Sequence, residues 1–479
     1  MNPLEVLHVV GALLVWIAVA MLPPAVLGFQ DGLAVPWTAS VLLTTAAGGL
    51  LWGLTPKRLV INRREGIVIV GLGWFSAVAA GSLPLVLSGT APTIAGALFE
   101  SVSGFTTTGA TIFADVDALP RSILLWRSIT HWLGGMGIIV LGVAILPLIG
   151  MGGAQLFHFE VPGIGMDRLK PRVATTARLL WGVYALFTGL LFILYVLLGM
   201  SAFEAVNHAM SALATGGFST RTASLGAFRP AIQWVTILFM FLAGANFTLH
   251  YRFLTGRWSS WFKDAEWRWY AGLALGASLA VFVMLGVVGE GWVPRRAAFN
   301  VVSILTTTGF ATADFGVWPG FCQVLLMGLM FVGAMGGSTG GGFKVARAVV
   351  VLKHAVSEVR KVLHPRAVFV TKLGHTPIRS DILLNVLAFL ALYIAAHGVG
   401  SLLIAALGND LVTAASATLA CMSSIGPGLG QVGPVLHYGD LGSVAHIILA
   451  GLMLLGRLEF YTLLVLLIPG TWDRWGGHR

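Results

Sequence analysis

FESVSGFTTTGAT, at residues 99–111, decides the fold, because three further stretches follow its pattern. They read NHAMSALATGGFS at 207–219, NVVSILTTTGFAT at 300–312 and TLACMSSIGPGLG at 418–430. Each combines a short semi-apolar run with small residues and a glycine, and a pattern that recurs in this way is an internal repeat. The four stretches align on one glycine each: Gly109, Gly216, Gly309 and Gly426.

These stretches occupy semi-apolar segments of about a dozen residues, whereas a helix needs about 20 residues to cross a bilayer. Each segment ends in a glycine-containing turn and lies between longer apolar runs. That profile is typical of a re-entrant helix, because irregular backbone at membrane depth is tolerated where it lines a water-filled cavity. The four predicted segments are 95–108, 203–215, 297–308 and 413–425.

Composition places the rest of the chain in a membrane. Hydrophobic residues make up 57% and charged residues 10% of the 479 residues, and the mean hydropathy is +0.87. A water-soluble protein needs more charge to cover its surface. We predict an all-α membrane protein with ten transmembrane helices and four re-entrant pore loops. The ten predicted spans are 7–28, 38–54, 66–88, 122–149, 178–200, 231–254, 270–289, 321–350, 382–407 and 443–469.

The repeats divide the chain into units that run span, short helix, turn, span. All four run in the same direction, so they are parallel repeats about an axis along the membrane normal. We predict four pseudo-symmetric helix–pore-loop–helix repeats around one central pore. The predicted units are an N-terminal two-helix hairpin at 1–62 and repeats at 63–155, 156–262, 263–372 and 373–479.

The net charge of +10 could indicate nucleic-acid binding, but its placement argues against that. Most of the 29 basic residues fall in alternate loops, at 57–64, 168–178, 252–268 and 344–379, and in the C-terminal tail. Basic residues concentrate in this way on the cytoplasmic side of membrane proteins. An even number of spans therefore places both termini in the cytoplasm.

The aligned turns have the composition of a cation filter. Glycine allows backbone angles that turn carbonyl oxygens toward one axis, and carbonyls can replace the water around a cation. The helix C-terminal ends, which carry partial negative charge, would point at the same place. No Asp or Glu occupies an aligned filter position, which favours a large monovalent ion; close helix packing is the alternative role for the glycines. The predicted filter residues are Thr107, Thr108, Gly109, Ala214, Thr215, Gly216, Thr307, Thr308, Gly309, Ser424, Ile425 and Gly426.

A second glycine-rich stretch interrupts the eighth span. The run from Phe321 to Glu358 is too long for one crossing, and five glycines within seven residues should break its helix. We predict a flexible loop that blocks the path beneath the filter; a kink for close packing is the alternative. The predicted gate residues here are Gly336, Gly337, Ser338, Thr339, Gly340, Gly341 and Gly342.

Two basic residues belong to the same prediction. Arg457 lies near the middle of the last span, where a charge needs a partner. We predict that its guanidinium bonds to carbonyls of the glycine-rich stretch or to a nearby acid, with purely structural pairing as the alternative. Lys344 either sets an electrostatic barrier at the inner mouth or begins a cytoplasmic basic stretch.

These motifs resemble the Trk/Ktr/HKT superfamily of potassium transporters. The ten-span layout with an extra N-terminal hairpin is similar to its TrkH branch, and the resemblance covers nearly the whole chain. It is carried by TTTGAT at 106–111, ATGGFST at 214–220, TTTGFA at 306–311, IGPGLG at 425–430, GSTGGGFK at 337–344, GRLEFY at 456–461 and HWLGGMG at 131–137.

The resemblance implies K⁺ uptake across the inner membrane. It also implies a homodimer with one pore in each protomer, gated by a cytoplasmic ring of nucleotide-binding TrkA-type subunits. In the family, a serine at the position of Gly109 accompanies sodium permeability, so glycine here favours K⁺. The sequence departs from the family at the fourth turn, which reads SSIGPG, whereas relatives often carry asparagine before this turn. The contribution of Ser423 and Ser424 therefore stays open.

The sequence bears on two other functions. A sodium-permeable or cation-coupled symporter could use the same scaffold, although Gly109 argues against it. An intramembrane enzyme would need a nucleophile with a base or paired acids, and the HExxH motif is absent from the sequence. We therefore predict no enzymatic activity, no organic cofactor and K⁺ as the transported ion.

Overall fold

The computed structural model describes residues 3–53, 63–144, 169–367, 369–374 and 376–468. Within them the only strands form a hairpin, in which Lys372–Leu373 pairs antiparallel with Thr376–Pro377. The predicted boundaries at 62 and 155, and the charges of Lys57, Arg58, Arg168, Arg474 and Arg479, lie outside the described residues. Apart from four helices described below, the α-helices of seven or more residues in these ranges are Pro3–Ala20, Leu22–Gln30, Ala34–Gly53, Arg63–Leu87, Arg121–Ala144, Leu169–Leu197, Pro230–Ala243, Phe247–Leu254, Ala265–Val287, Gly320–Val332, Val345–Leu363, Ser380–Ala406, Gly442–Arg457 and Tyr461–Leu467.

Seven helices in the described ranges are long and apolar enough to cross a bilayer, or eight if Pro230–Ala243 and Phe247–Leu254 form one bent span. Their outward faces carry large apolar side chains, since Trp16, Val35 and Leu275 are 72%, 77% and 73% exposed. Apolar surface of this kind is stable against lipid rather than water. The all-helical prediction is confirmed, while the count of ten spans stays a prediction.

The predicted span 231–254 is wrong as a single helix. Its two pieces, Pro230–Ala243 and Phe247–Leu254, are bent by 102°. Asn246 starts the second piece, because its side chain accepts a hydrogen bond from the Thr248 N–H at 2.8 Å. A Cβ at Gly244 would lie 2.6 Å from the Tyr270 hydroxyl oxygen, so neighbouring helices approach closely at the break.

The predicted span 321–350 is also interrupted, as its glycines indicated. The helix ends at Val332 and resumes at Val345. The intervening residues 333–344 are called the glycine loop below. The break begins earlier than predicted, because Gly333 already has a φ of 73°, which a helix cannot accommodate.

Four short helices occupy the predicted re-entrant segments. Thr93, Ser201 and Asp410 start three of them, because their side chains accept hydrogen bonds from N–H groups of the first turn. The other starts with Pro294, whose fixed φ suits that position. Their bounds are Ile94–Phe105, Ala202–Leu213, Pro294–Leu305 and Leu411–Met422.

Buried apolar side chains surround the short helices in three groups. The first and fourth helices, through Phe99 and Cys421, share one group with Trp37 of the N-terminal hairpin. Leu213 of the second helix and Leu305 of the third belong to the other two groups. The short helices therefore lie inside the protein, and each delivers its C-terminal end to a buried turn.

Candidate functional site

The four short helices end in turns that share one backbone geometry. The second residue of each turn has a positive φ although it is not glycine: 53° at Thr107, 54° at Thr215, 58° at Thr307 and 56° at Ser424. Such residues are rare, and backbone strain of this kind clusters at functional sites. The fourth residue of each turn is a glycine, also with positive φ. Turns 1 to 4 are residues 106–109, 214–217, 306–309 and 423–426.

Turn 2 lies one residue later than the sequence alignment placed it. The glycine with positive φ is Gly217, at 81°, which matches Gly109 at 79°. The hydrogen bonds agree, since the Gly216 N–H donates to the Ser211 carbonyl as the Thr108 N–H donates to the Ser103 carbonyl. Gly216 was therefore wrongly aligned. Ala214 corresponds to the residue that ends the helix, one position before the strained residue.

The fourth residues of the turns form a closed ring. Each glycine lies so close to a carbonyl oxygen of another turn that a side chain would collide with it. The distances from an ideal Cβ to that oxygen are 2.0 Å from Gly109 to Gly216, 2.2 Å from Gly217 to Thr308, 1.8 Å from Gly309 to Ile425 and 2.7 Å from Gly426 to Thr108. Real Cβ atoms essentially never approach within 3.0 Å, so glycine is required at all four positions.

One side of this ring opens to a small cavity. Gly109, Gly217 and Gly309 are partly exposed, whereas the second and third residues of all four turns are buried. The cavity has a volume of about 80 Å³ and is lined by the four ring glycines and by residues that follow them. The structure thus brings the predicted filter residues of all four segments together, with Gly217 added.

The glycine loop packs against the turns on the side where the short helices end. The Gly341 N–H donates to Thr307 Oγ1 at 2.7 Å. Thr339 Oγ1 donates to the Leu213 carbonyl at 3.1 Å and accepts from Thr215 Oγ1 at 3.2 Å. A Cβ on Gly341 would lie 2.2 Å from the Ser423 carbonyl oxygen. The loop therefore contacts turns 2, 3 and 4, at contact distances that leave no room for a side chain at Gly341.

A buried carboxylate holds the glycine loop against the helix that follows it. Glu266 Oε1 accepts hydrogen bonds from the Gly336 N–H at 2.8 Å and from the Ala346 N–H at 3.1 Å. Glu266 is 5% exposed and lies in the first turn of Ala265–Val287. The same oxygen therefore ties the loop to the start of the helix that follows it.

Arg457 reaches the glycine loop from the last long helix. Its Nη1 donates to the Thr339 carbonyl at 2.9 Å, which confirms the predicted contact, and its Nη2 donates to the Gly134 carbonyl at 3.2 Å. Arg457 is 3% exposed. Glu459 lies elsewhere and pairs with Arg347 at 3.1 Å. Arg457 is thus bonded to carbonyl oxygens, which leave its positive charge unneutralised.

Lys344 folds back onto the loop that it ends. Its Nζ donates to the Gly340 carbonyl, and its φ of 82° is unusual for a residue with a side chain. This contact involves Lys344 in the loop itself. It does not decide between a barrier and the start of a basic stretch.

Sequence reasoning missed three buried charges near the turns: Glu100, Arg127 and Glu266. Glu100 and Arg127 form an ion pair at 2.8 Å and are 1% and 3% exposed. The signal was available, because an ionisable residue within a membrane-embedded segment is a functional candidate by default. Arg127 lies in the first two turns of Arg121–Ala144, where a basic residue looks like one at the membrane surface.

The loops that follow turns 1 and 2 are joined by a polar network. The Thr222 N–H donates to the Asp117 carboxylate at 2.9 Å, and this hydrogen bond is the main cause that lowers the pKa of Asp117. Arg221 lies 3.2 Å from Asp117 and 2.7 Å from Glu204. A lowered pKa means that this stabilisation is present above the ordinary pKa and is lost as the pH falls. Exposure to solvent keeps it small.

No group of three or more His, Cys, Asp or Glu side chains that could hold a metal ion occurs among the described residues. The oxygens that lie nearest the ring glycines are backbone carbonyls of the neighbouring turns. Such oxygen ligands suit a hard cation that is bound weakly enough to leave again.

Known proteins match both the sequence and the fold. The TrkH family model, described as a cation transport protein, matches residues 36–471. The Trk system potassium uptake protein TrkH of Halomonas elongata is 39% identical over 98% of this chain and 99% of its own length. The protein of that name from Escherichia coli K12 is 38% identical over 97% and 98% of the two chains.

A solved structure agrees with these matches. The crystal structure of the potassium transporter TrkH from Vibrio parahaemolyticus superposes with a TM-score of 0.90 at 37% identity. The superposition covers 99% of this chain and 100% of that one. This chain is therefore a multi-pass membrane protein that belongs to the TrkH family of cation transport proteins.

Proposed function

We propose that this protein takes up K⁺ across the cytoplasmic membrane, in a channel-like manner driven by the membrane potential. One observation carries the proposal: four glycines of positive φ form a closed ring with the carbonyl oxygens of neighbouring turns. No carboxylate belongs to the turns. Carbonyl oxygens that converge in this way can replace the hydration shell of a monovalent cation.

The proposed filter follows the backbone geometry rather than the sequence alignment. The four short helices end directly at the turns, so the partial negative charge of each C-terminus adds to the attraction for a cation. The proposed K⁺-binding residues are Thr107, Thr108, Gly109, Thr215, Gly216, Gly217, Thr307, Thr308, Gly309, Ser424, Ile425 and Gly426.

The glycine loop is the proposed gate. Its hydrogen bonds to Thr307 and Thr215 place it against the turns on the side away from the cavity-lining residues. Arg457 and Lys344 bind loop carbonyls and hold a positive charge beside it. In this arrangement the loop must move before a K⁺ ion can leave the turns. Until then the positive charges of Arg457 and Lys344 oppose the passage of the ion.

The proposed assembly is a homodimer regulated by cytoplasmic nucleotide-binding subunits of the TrkA type, with both termini of this chain in the cytoplasm. The curated relatives are named as proteins of the Trk system, which supports association with other components. Their names also describe transport, which supports a function other than catalysis.

A flux measurement with the full chain tests the proposed function. Purified protein in lipid vesicles should take up ⁸⁶Rb⁺ when a K⁺ gradient makes the interior negative, and external K⁺ should compete while Na⁺ should not. Empty vesicles are the control. Absence of influx from well-folded protein contradicts the proposal, and equal competition by Na⁺ would favour the sodium-permeable or cation-coupled alternative.

A further inference from the structure

Glu100 fixes the chain that leaves turn 1. Its Oε2 accepts from the Ile112 N–H at 3.0 Å, and its Oε1 accepts from Thr111 Oγ1 at 3.0 Å. Thr111 and Ile112 follow closely after Gly109, so the carboxylate reaches from the middle of the first short helix to the segment beyond the ring. Turn 1 is thereby held from both of its ends.

Arg127 extends this contact to turn 2. Its Nε donates to Glu100 Oε1 at 2.8 Å and its Nη2 to Thr111 Oγ1 at 3.1 Å. Its Nη1 donates to the Ser219 carbonyl at 3.3 Å, and the guanidinium lies 4.0 Å from the centre of the Phe218 ring. Phe218 and Ser219 follow Gly217 directly. One guanidinium therefore bridges the segments that leave two neighbouring turns.

The other segments have neutral contacts at the corresponding places. His208 Nε2 lies 2.9 Å from Ser219 Oγ, and Asn300 Nδ2 donates to Thr312 Oγ1 at 3.3 Å. In the fourth segment Ser416 Oγ accepts from the Leu429 N–H at 2.9 Å. All four short helices thus hold the segment beyond their own turn with a polar side chain. The first does so with a charged pair that also reaches its neighbour.

A buried ion pair is seldom retained for stability alone, because desolvation offsets much of the attraction between its charges. It does impose a defined geometry, and bidentate and charge-assisted hydrogen bonds are the most directional ones available. Arg127 also lines the cavity beside the ring, where an unpaired positive charge would repel an approaching cation. Glu100 neutralises it there.

We propose that Glu100 and Arg127 form a positioning pair that sets the spacing between turns 1 and 2 and thereby the preference of the ring for K⁺ over Na⁺. The inference rests on the proposed function of the ring. It adds a specificity-determining contact outside the filter itself, acting through Thr111 and Ser219.

The test compares Glu100→Gln, the double variant Glu100→Gln/Arg127→Gln, and the wild type, as full chains in lipid vesicles. The measured quantity is the ratio of K⁺ influx to Na⁺ influx. We expect this ratio to fall about tenfold in both variants, equivalent to about 1.4 kcal/mol. Total influx should fall in the single variant, which leaves Arg127 unpaired, and recover in the double variant, which has neither charge.

The proposal requires the ratio to fall in both variants and is overturned if it does not. A fall in the single variant alone would be explained by the unpaired charge of Arg127. Thr111→Val removes the hydroxyl shared by the pair, keeps both charges, and must also lower the ratio; it serves if Glu100→Gln does not fold. Asp381→Asn, which breaks the exposed pair with Arg379, is the control with an unchanged ratio. Wild type without K⁺ influx would refute the proposed function, whereas wild-type influx with unchanged ratios in the variants refutes only this inference.

Discussion

At the scale of single residues, the ring depends on glycines, because it has no room for a Cβ atom at these positions. Gly109 combines a φ of 79° with a neighbouring carbonyl oxygen only 2.0 Å from the place of a Cβ. The left-handed conformation costs a residue with a side chain roughly 1–2 kcal/mol. The collision is the larger problem, since the backbone of turn 2 must move to relieve it.

Gly109→Ser should therefore displace the Gly216 carbonyl and widen one side of the ring. We expect K⁺ influx to fall and the preference for K⁺ over Na⁺ to drop by about tenfold, the effect of losing roughly 1.4 kcal/mol of discrimination. Competition of Na⁺ with ⁸⁶Rb⁺ influx in vesicles measures this. Gly89→Ser is the matched control, because Gly89 has a φ of 66° but open space around its Cα. A Gly109→Ser protein with wild-type preference would contradict the proposed ring.

Arg457 allows a second prediction at this scale. Its two carbonyl hydrogen bonds join the glycine loop to Gly134. Arg457→Gln removes the charge and shortens the reach of the side chain, so the loop is held less firmly and the barrier to cations decreases. We expect K⁺ influx to rise several-fold with unchanged K⁺ over Na⁺ preference.

Vesicle flux under one fixed gradient checks the Arg457 prediction. Arg379→Gln, at an exposed arginine that pairs with Asp381, is the control. Influx at or below the wild-type level from folded Arg457→Gln protein would argue that this arginine supports the structure without restraining the loop.

At the scale of elements, the glycine loop is also held by a carboxylate from a neighbouring helix. One oxygen of Glu266 accepts hydrogen bonds from the N–H group of Gly336 in the loop and from that of Ala346 in the helix that follows it. Hydrogen bonds to a charged group contribute about 1.5–3 kcal/mol each. Loss of the carboxylate should therefore release the loop more than loss of any single contact along it.

We expect Glu266→Ala to raise resting K⁺ influx above that of the wild type, and Glu266→Gln, which keeps one acceptor oxygen, to lie between the two. This order separates a role in holding the loop from general destabilisation, which would lower influx in both variants. Glu358→Ala, on the exposed part of Val345–Leu363, is the control. Equal influx from the wild type and all three variants would show that the hydrogen bonds of Glu266 do not restrain the glycine loop.

Of the two interrupted spans, the sequence predicted the break in one and not in the other. Five glycines predicted the break in the eighth span, because glycine disfavours a helix wherever it occurs. The 102° bend near Gly244 was not predicted. A single glycine and a single asparagine in an apolar run are also found in unbroken transmembrane helices. The capping bond of Asn246 and the close approach of Tyr270 decide that bend, and both depend on tertiary packing.

At the scale of the whole molecule, repetition made the fold predictable. Four copies of one pattern indicated where the short helices and turns lie, and these predictions agree with the helices observed. The register of turn 2 was missed, because Gly216 and Gly217 are adjacent and the sequence does not show which of them has the positive φ. The ion pair of Glu100 and Arg127 was missed because its partners come from different elements, and no spacing rule connects them.

The contact of Arg457 with Gly134 has a further consequence for how the protein is made. It joins residues 323 positions apart in the sequence. Contacts of such long range form late, because a large loop of chain must close before they give any stabilisation. During translation all four turns and the glycine loop emerge before Arg457, so the nascent chain lacks the bond between the loop and Gly134 until the helix Gly442–Arg457 enters the membrane. The order of synthesis thus makes the Arg457 contact the last of the described restraints on the loop to form.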